Sequence, residues 1–415
     1  MMSSFLGKVW LLLLIGLLPD GGYAWCLPSM LDGKYVGATG MPDHPRGRPL
    51  SDRQGRVFVS RRYTPDNHNS QANAFPATQH PGNESHVQAS LSGRERAATM
   101  GRPYISPIQH QITIRPFTFR RGLMGTTFTV TLYAPDSLTA QRTYEAVSAR
   151  MDTLNQIMSD YLDGSELNRL SATSGQNRWV HVSPTLFDVL QKAKLIAQQS
   201  GGRYDPTIGP LSQLWRRAVR QRQFPDARER RKARKAVSWR YIELDSSSQS
   251  VRLRKPGMRL DLGGIGQGFA IDEAQKVLYQ HGTRIFLLDI GGDILVGDAP
   301  PTQPEGWRIG LPKAEADSVI FLKNAAITTS GDTERHLDIN GRRYSHIMNP
   351  RTGLGLRHFV QATVHAPTGT YADALTKVFS VATPNQRKRL QRRFPQARVW
   401  IKEKKNGNTD LRDLK

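Results

Sequence analysis

Between Leu27 and Arg115 nine prolines, from Pro28 to Pro107, are scattered among Gly, Asn, Gln, Ser and His. No hydrophobic period of 2 or 3.6 survives in that stretch, and proline breaks whatever element would begin there. Too little apolar surface is present to offset the entropy of ordering it, so the pattern predicts a disordered linker. Any packed core must therefore be built from the residues that follow. His44, His68, His80, His86 and His110 lie too far apart in sequence to form a local metal motif.

Ahead of the linker, Lys8 precedes an apolar run from Val9 to Leu18, and Gly22-Tyr23-Ala24 gives a small-x-small site. This predicts a secretory leader over 1–24 and an exported protein, of the bacterial periplasm. The run is too short to span a bilayer comfortably, and no other apolar run of that kind exists. Cys26 is the single cysteine, which excludes an internal disulfide framework. Bulky Trp25 before it argues against lipid attachment there.

The chain of 415 residues carries a formal +23, from 58 Lys+Arg against 35 Asp+Glu. Such an excess first suggests a nucleic-acid partner. The segment Arg216 to Lys235 alone holds ten basic and two acidic residues, however, with Phe224 the one aromatic inside it. Concentrated charge without interleaved aromatics predicts a solvated helical insertion, apart from the motifs in sequence, and no nucleic acid. Docking on an anionic membrane surface is the other use such a segment has.

From Phe117 onward the pattern is that of a folded domain. Phe128, Val130 and Leu132 alternate with threonines, a half-buried strand. Val147, Met151, Leu154, Ile157 and Met158 share one face of a helix over about 139–162. A second helix runs from Pro184 to Gln199, stopped by Gly201-Gly202. Strands are expected near 241–244, 251–254, 258–262 and 285–289, with helices near 268–281, 370–382 and 384–394. Several strands follow one another directly, which favours an α+β domain with largely antiparallel sheets. The expected organisation is a leader over 1–24, a linker over 25–116, one domain over 117–402 and a flexible tail over 403–415.

Five segments could carry chemistry. Asp261-Leu262-Gly263-Gly264-Ile265-Gly266-Gln267-Gly268 lies between a strand and a helix, where glycines admit a phosphate to backbone N–H groups or simply make a tight turn. Its spacing fits neither the dinucleotide fingerprint nor the P-loop. Tyr204-Asp205-Pro206-Thr207-Ile208-Gly209-Pro210 reads as a capped turn or a binding element. Thr328-Thr329-Ser330-Gly331-Asp332 reads as a hydroxyl-rich turn able to donate to an anion. Ser345-His346-Ile347-Met348-Asn349-Pro350-Arg351-Thr352-Gly353 sets a histidine before a turn. Ala372-Asp373-Ala374-Leu375-Thr376 places an acid and a hydroxyl on one helix face, oxygen ligands for a hard cation or a capping acid.

Taken in order, with Met124-Gly125-Thr126 and Asp160-Tyr161 ahead of them, these segments resemble the FAD:protein FMN transferase family, also called the thiamine-biosynthesis lipoprotein family. The resemblance covers about 118–400. It implies cleavage of FAD, release of AMP and transfer of FMN through a phosphoester bond to a Thr or Ser hydroxyl of an acceptor protein, expected to be a membrane-associated redox protein. It further implies Mg²⁺ as cofactor, held by Asp373 and the carbonyl of Gly264. His346 is implied as the base, and Met124, Tyr161, Tyr204, Asp205, Asp261, Gln267 and Ile347 as FAD contacts. Hydrolysis of FAD by water, or passive FAD binding, would use the same contacts. One departure stands out: the family commonly has a metal-binding Thr four residues after the Asp, where this chain has Lys377. Thr376, on the same helix face as Asp373, is then the candidate third metal ligand; the alternatives are a Lys377 ammonium that sits near the phosphates and replaces part of the metal's charge, or one that points to solvent.

Overall fold

The structure is a computed structural model that describes residues 113–311, 319–331, 336–339, 341–405 and 408–414. The expected leader and nearly all of the expected linker lie outside these residues. Eight strands form one sheet: β1 (Arg115–Leu123), β2 (Thr126–Ala134), β3 (Phe286–Ile290), β4 (Asp293–Val296), β5 (Ala325–Gly331), β6 (Val360–Ala366), β7 (Arg398–Lys405) and β8 (Asn408–Leu414). Their order across the sheet is their order along the chain, and every neighbouring pair is antiparallel.

The helices are α1 (Ser137–Met158), α2 (Glu166–Ser171), α3 (Pro184–Gln199), α4 (Gly209–Gln221), α5 (Ala227–Lys235), α6 (Gly266–Gln280), α7 (Gly369–Val381) and α8 (Pro384–Arg393). The first six all fall in the excursion between β2 and β3. Phe128, Val130 and Leu132 of β2 are fully buried, and with Phe286, Leu288 and Ile290 of β3 they enter one large core shared with α1, α6 and α7. Alternation of side chains along each strand sends these residues to one face. The opposite face is covered in part by the hairpin of Trp307–Gly310 and Val319–Leu322, whose Trp307, Ile309 and Leu322 join Val296, Ile327 and Trp400 in a second cluster.

Helix ends follow from local chemistry. Ser183 caps α3 by accepting from the Leu186 N–H at 3.2 Å, with Pro184 in the first turn. Asp136 does the same for α1 through the Thr139 N–H at 2.8 Å. Thr368 caps α7 locally by accepting from the Tyr371 N–H, and helices α6 and α7 also cap each other. Asp272 of α6 accepts from the N–H groups of Gly369 and Thr370 at 2.6 and 2.9 Å, and Asp373 of α7 accepts from the Gly268 N–H at 3.1 Å. This exchange needs backbones in contact. A Cβ at Gly268 would stand 2.1 Å from the Gly369 carbonyl oxygen and 2.6 Å from Asp373 Cβ. Gly268→Ala is accordingly expected to cost about 1–3 kcal/mol by overpacking, read as a lower urea midpoint; an unchanged midpoint would show that the helices can part freely.

Four expectations are corrected. Helix α1 ends at Met158, so Asp160 and Tyr161 lie in the loop after it rather than on the helix. Residues 258–262 do not form a strand; Arg259 makes a single parallel bridge to Ile208. The hydroxyl-rich segment at Thr328 to Gly331 is the end of β5, where Thr329 and Thr363 bond side chain to side chain at 2.9 Å across the ladder; Asp332 lies outside the described residues. The expected tail over 403–415 instead finishes β7 and forms β8, which pairs with β7 from Asn408 to Leu414.

Candidate functional site at the junction of α6 and α7

The reciprocal capping puts Asp373 at the N-terminal end of α6. Its carboxylate is fully buried, with Oδ2 on the Gly268 N–H and Oδ1 on the Lys377 ammonium one helical turn along. Asp293, the first residue of β4, faces the same pair. Burial pushes its carboxyl well above the usual range, and the Asp373 charge adds to the effect. Burial works against the charge on Lys377, but Asp373 and Asp293 outweigh it and hold the ammonium above its ordinary range. The Lys377 side chain remains 23% exposed, with its ammonium anchored on the Asp373 carboxylate.

Gly264, two residues before α6, lies against this lysine. A Cβ there would meet Tyr204 Cε2 at 3.3 Å and Lys377 Cγ at 3.4 Å. Tyr204 is buried, and its hydroxyl has no hydrogen-bond partner among the described residues. Burial first, then the carboxylates of Asp261, Asp373 and Asp205, push its phenol well above 10, so it stays a neutral donor. A buried, unsatisfied donor of this kind calls for a partner that the described residues do not supply. Ile265 supplies no side-chain cap, and half-buried Gln267 occupies the first turn of α6, whose positive end faces the same place.

The Tyr204 segment is held beside the glycine segment by backbone contact. The Asp261 N–H donates to the Pro206 carbonyl at 2.8 Å and the Gly209 N–H to the Arg259 carbonyl at 3.2 Å. Asp205 is used within this framework: it accepts from the Thr207 N–H and hydroxyl at 2.9 and 2.7 Å and from the Trp239 N–H at 3.1 Å. These bonds give it a turn-forming role. Asp261 accepts from the Gly263 N–H at 2.8 Å and pairs with Arg216 at 3.4 Å.

Arg216 was hidden in the basic segment. From α4 its guanidinium reaches both Asp160, at 2.5 Å, and Asp261. Burial and the Asp261 charge raise the Asp160 carboxyl, while Arg216 opposes them. The same guanidinium lies 4.0 Å from the ring centre of Tyr161, which is 73% exposed. One face of that ring is covered by a cation and the other is free for an aromatic ligand. Thus α5, with no buried residue, is the solvated helix expected, whereas α4 contributes to the site. Its signal was positional: α4 starts at Gly209, inside a motif, and Arg216 follows two turns later.

Met124 sits in the two-residue turn of the β1–β2 hairpin with φ of 48°, followed by Gly125 at 75°. A positive φ is uncommon for a residue with a long side chain and marks a constrained position. That hairpin end adjoins the β3–β4 turn, where the Gly291 N–H donates to the Thr127 carbonyl at 3.2 Å and Asp293 follows. His346 is exposed between the strands ending at Ser345 and beginning at Met348, while Ile347 is buried in the main core. The Ser345 hydroxyl accepts from the Ile347 N–H at 3.0 Å, and Trp215 of α4 donates to the Gly353 carbonyl at 3.0 Å. These bonds tie the histidine segment to α4.

As arranged, Gly264, Asp373 and Thr376 do not fit the expected divalent cation. Both Asp373 oxygens are engaged, and the Thr376 hydroxyl is fully buried and donates to the Asp373 carbonyl at 2.7 Å. The Lys377 ammonium already lies against the carboxylate such a cation would need.

An antiparallel sheet backed by two mutually capped helices, with a lysine, a buried phenol and a helix N-terminus at their junction, defines an α+β protein with one candidate site there. Comparison with known proteins narrows this. The family model described as the ApbE family matches residues 124–401, and the chain belongs to that family. The FAD:protein FMN transferase of Haemophilus influenzae is 29% identical over 268 residues, covering 61% of this chain and 77% of the relative. The protein of the same name from Klebsiella pneumoniae is 30% identical over 250 residues, covering 58% and 74%. Among solved structures, the ApbE protein of Thermotoga maritima superposes with a TM-score of 0.63 at 26% identity, covering 71% of this chain and 96% of that one. The flavin transferase ApbE of Vibrio cholerae shares the fold with a TM-score of 0.64 at 22% identity, covering 72% and 97%.

Proposed function

We propose that this protein is an FAD:protein FMN transferase: it cleaves FAD, joins FMN through a phosphoester bond to a Thr or Ser hydroxyl of an acceptor protein, and releases AMP. The observation that carries the reading is the meeting of Tyr204, Gly264, Asp373 and Lys377 at one helix junction, in a chain whose curated relatives bear that activity in their names. The acceptor oxygen forms the new bond to the FMN phosphorus, the bond from that phosphorus to the AMP oxygen breaks, and AMP leaves with the electron pair. The hydroxyl proton goes to His346, whose exposure suits a base that must meet a hydroxyl arriving on another protein. The Tyr204 phenol and the start of α6 address phosphate oxygens, and the open face of Tyr161 receives an aromatic ring of FAD. No step in this reading runs through Mg²⁺, because Asp373 and Thr376 are engaged as described. The leader predicts an exported enzyme, and the basic face of α5 suits an acceptor held at a membrane surface.

Incubation with FAD and a candidate acceptor tests the reading. AMP release together with flavin fluorescence on the acceptor band in a denaturing gel is the expected result. AMP without a labelled acceptor would mean hydrolysis, and neither product would mean passive binding. His346→Ala is expected to slow transfer about 10²–10⁴-fold while FAD affinity, measured by flavin fluorescence, stays unchanged. Transfer at the wild-type rate would remove this histidine as the base.

A further inference from the structure

Lys377 presents a combination that the rest of the site does not explain. Its ammonium is fixed on the buried Asp373 carboxylate and faced by Asp293, yet its side chain is partly open. Its stem and the ring of Tyr204, whose hydroxyl has no partner among the described residues, both pack against Gly264. A positive charge therefore stands where the glycine segment, the phenol and the start of α6 converge. A divalent cation on Asp373 would have to displace this ammonium or sit in contact with it, against strong repulsion.

We propose that Lys377 is a catalytic residue that supplies the positive charge facing the FAD pyrophosphate, so that this enzyme binds and cleaves FAD without a divalent cation. The inference rests on the flavin-transfer reading above and deepens it. The ammonium pairs with the non-bridging phosphate oxygens of FAD and then with the charge that develops on the departing AMP phosphate; it transfers no proton and forms no bond of its own. Asp373 and Asp293 position it. A lysine is a point charge with three donors, suited to phosphate oxygens whose directions change as the bond breaks.

The full chain, treated with EDTA and exchanged into metal-free buffer, is titrated with FAD and with riboflavin, which lacks the phosphates. The wild type is expected to bind FAD equally well in EDTA and in excess Mg²⁺, and calorimetry with Mg²⁺ alone to show no binding. Lys377→Met is expected to weaken FAD binding about 10-fold or more, the range for a lost charge-assisted bond, while riboflavin binding is unchanged. Lys377→Thr, which removes the ammonium and adds an oxygen ligand, is expected to bind FAD well only with Mg²⁺. A wild-type FAD affinity that rises about 10-fold with Mg²⁺, or a Lys377→Met protein that binds FAD like the wild type, would overturn the proposal. Wild-type binding of neither flavin would overturn the flavin reading itself, and this proposal with it.

Discussion

Asp373→Ala is expected to abolish AMP formation from FAD and to lower stability in the same protein. The carboxylate has no exposed surface, caps the Gly268 N–H and holds the Lys377 ammonium. Its removal leaves a half-buried ammonium facing only the Asp293 carboxyl, and breaking a buried pair costs about 3–5 kcal/mol. A charge no longer held in place also loses most of its effect on the pyrophosphate, so AMP release should fall at least about 10²-fold. Asp373→Asn separates the two effects. The amide oxygen can still accept from Gly268, but the charge is gone, so stability should recover further than activity. Chromatographic assay of AMP and urea unfolding of both variants check this. Wild-type AMP release by the alanine variant would take Asp373 out of the site.

Arg387→Ala is expected to be among the most damaging changes outside the site. Arg387 is buried on α8, where it donates to the Phe379 carbonyl of α7 at 2.9 Å and to Glu403 of β7 at 2.6 Å. One guanidinium thus joins two helices and a strand, and it anchors the last turn of the helix that carries Asp373 and Lys377. Truncation leaves the mostly buried Glu403 carboxylate without its strongest cation and the Phe379 carbonyl without this donor. A loss of about 3–5 kcal/mol is expected, seen as a melting temperature lower by about 6–15 °C. Arg387→Lys keeps the charge but cannot fork to both acceptors, so it should fall between the wild type and Ala. A melting temperature within error of the wild type for Arg387→Ala would show that α8 docks without this link.

The sequence made the long elements plain because each carries its own punctuation. Pro184 and Gly201 bound α3, and apolar spacing places α1 within four residues at either end. It was misleading where pairing depends on distant partners. Met258 to Leu262 alternates like a strand, but it forms no ladder: its backbone bonds go to Pro206 and Gly209 of the neighbouring turn and to the Ser171 hydroxyl, with one isolated bridge between Arg259 and Ile208. Residues 408–414 are polar and read as a tail, yet an edge strand needs only a partner's N–H and C=O row, which β7 provides. In the site, the motif glycines and Asp373 were legible, and Lys377 was visible as a departure. Arg216 and Asp293 were not, because a basic run and a lone strand acid acquire meaning only through contacts across the chain, such as those from Arg216 to Asp160 and Asp261. The turn-forming role of Asp205 was hidden as well, because one of its donors is Trp239, far along the chain.

The sheet's strand order has a consequence for how this molecule can change. Every strand neighbours its predecessor, so the whole of 135–285 is one detour between two strands that would otherwise make an ordinary meander. The entropy of closing such a loop rises only logarithmically, about 0.6 kcal/mol for each doubling of length. Residues can therefore be added to or removed from the detour with little penalty to the sheet. The arginine-rich helix α5, which buries nothing, is the kind of addition this tolerance admits. The detour also carries Tyr161, Tyr204, Arg216 and Gly264, whereas Asp293, Asp373 and Lys377 belong to the sheet and the helix packed on it. Length can thus change around Tyr161, Tyr204, Arg216 and Gly264, while Asp293, Asp373 and Lys377 are tied to the sheet itself and the helix packed on it.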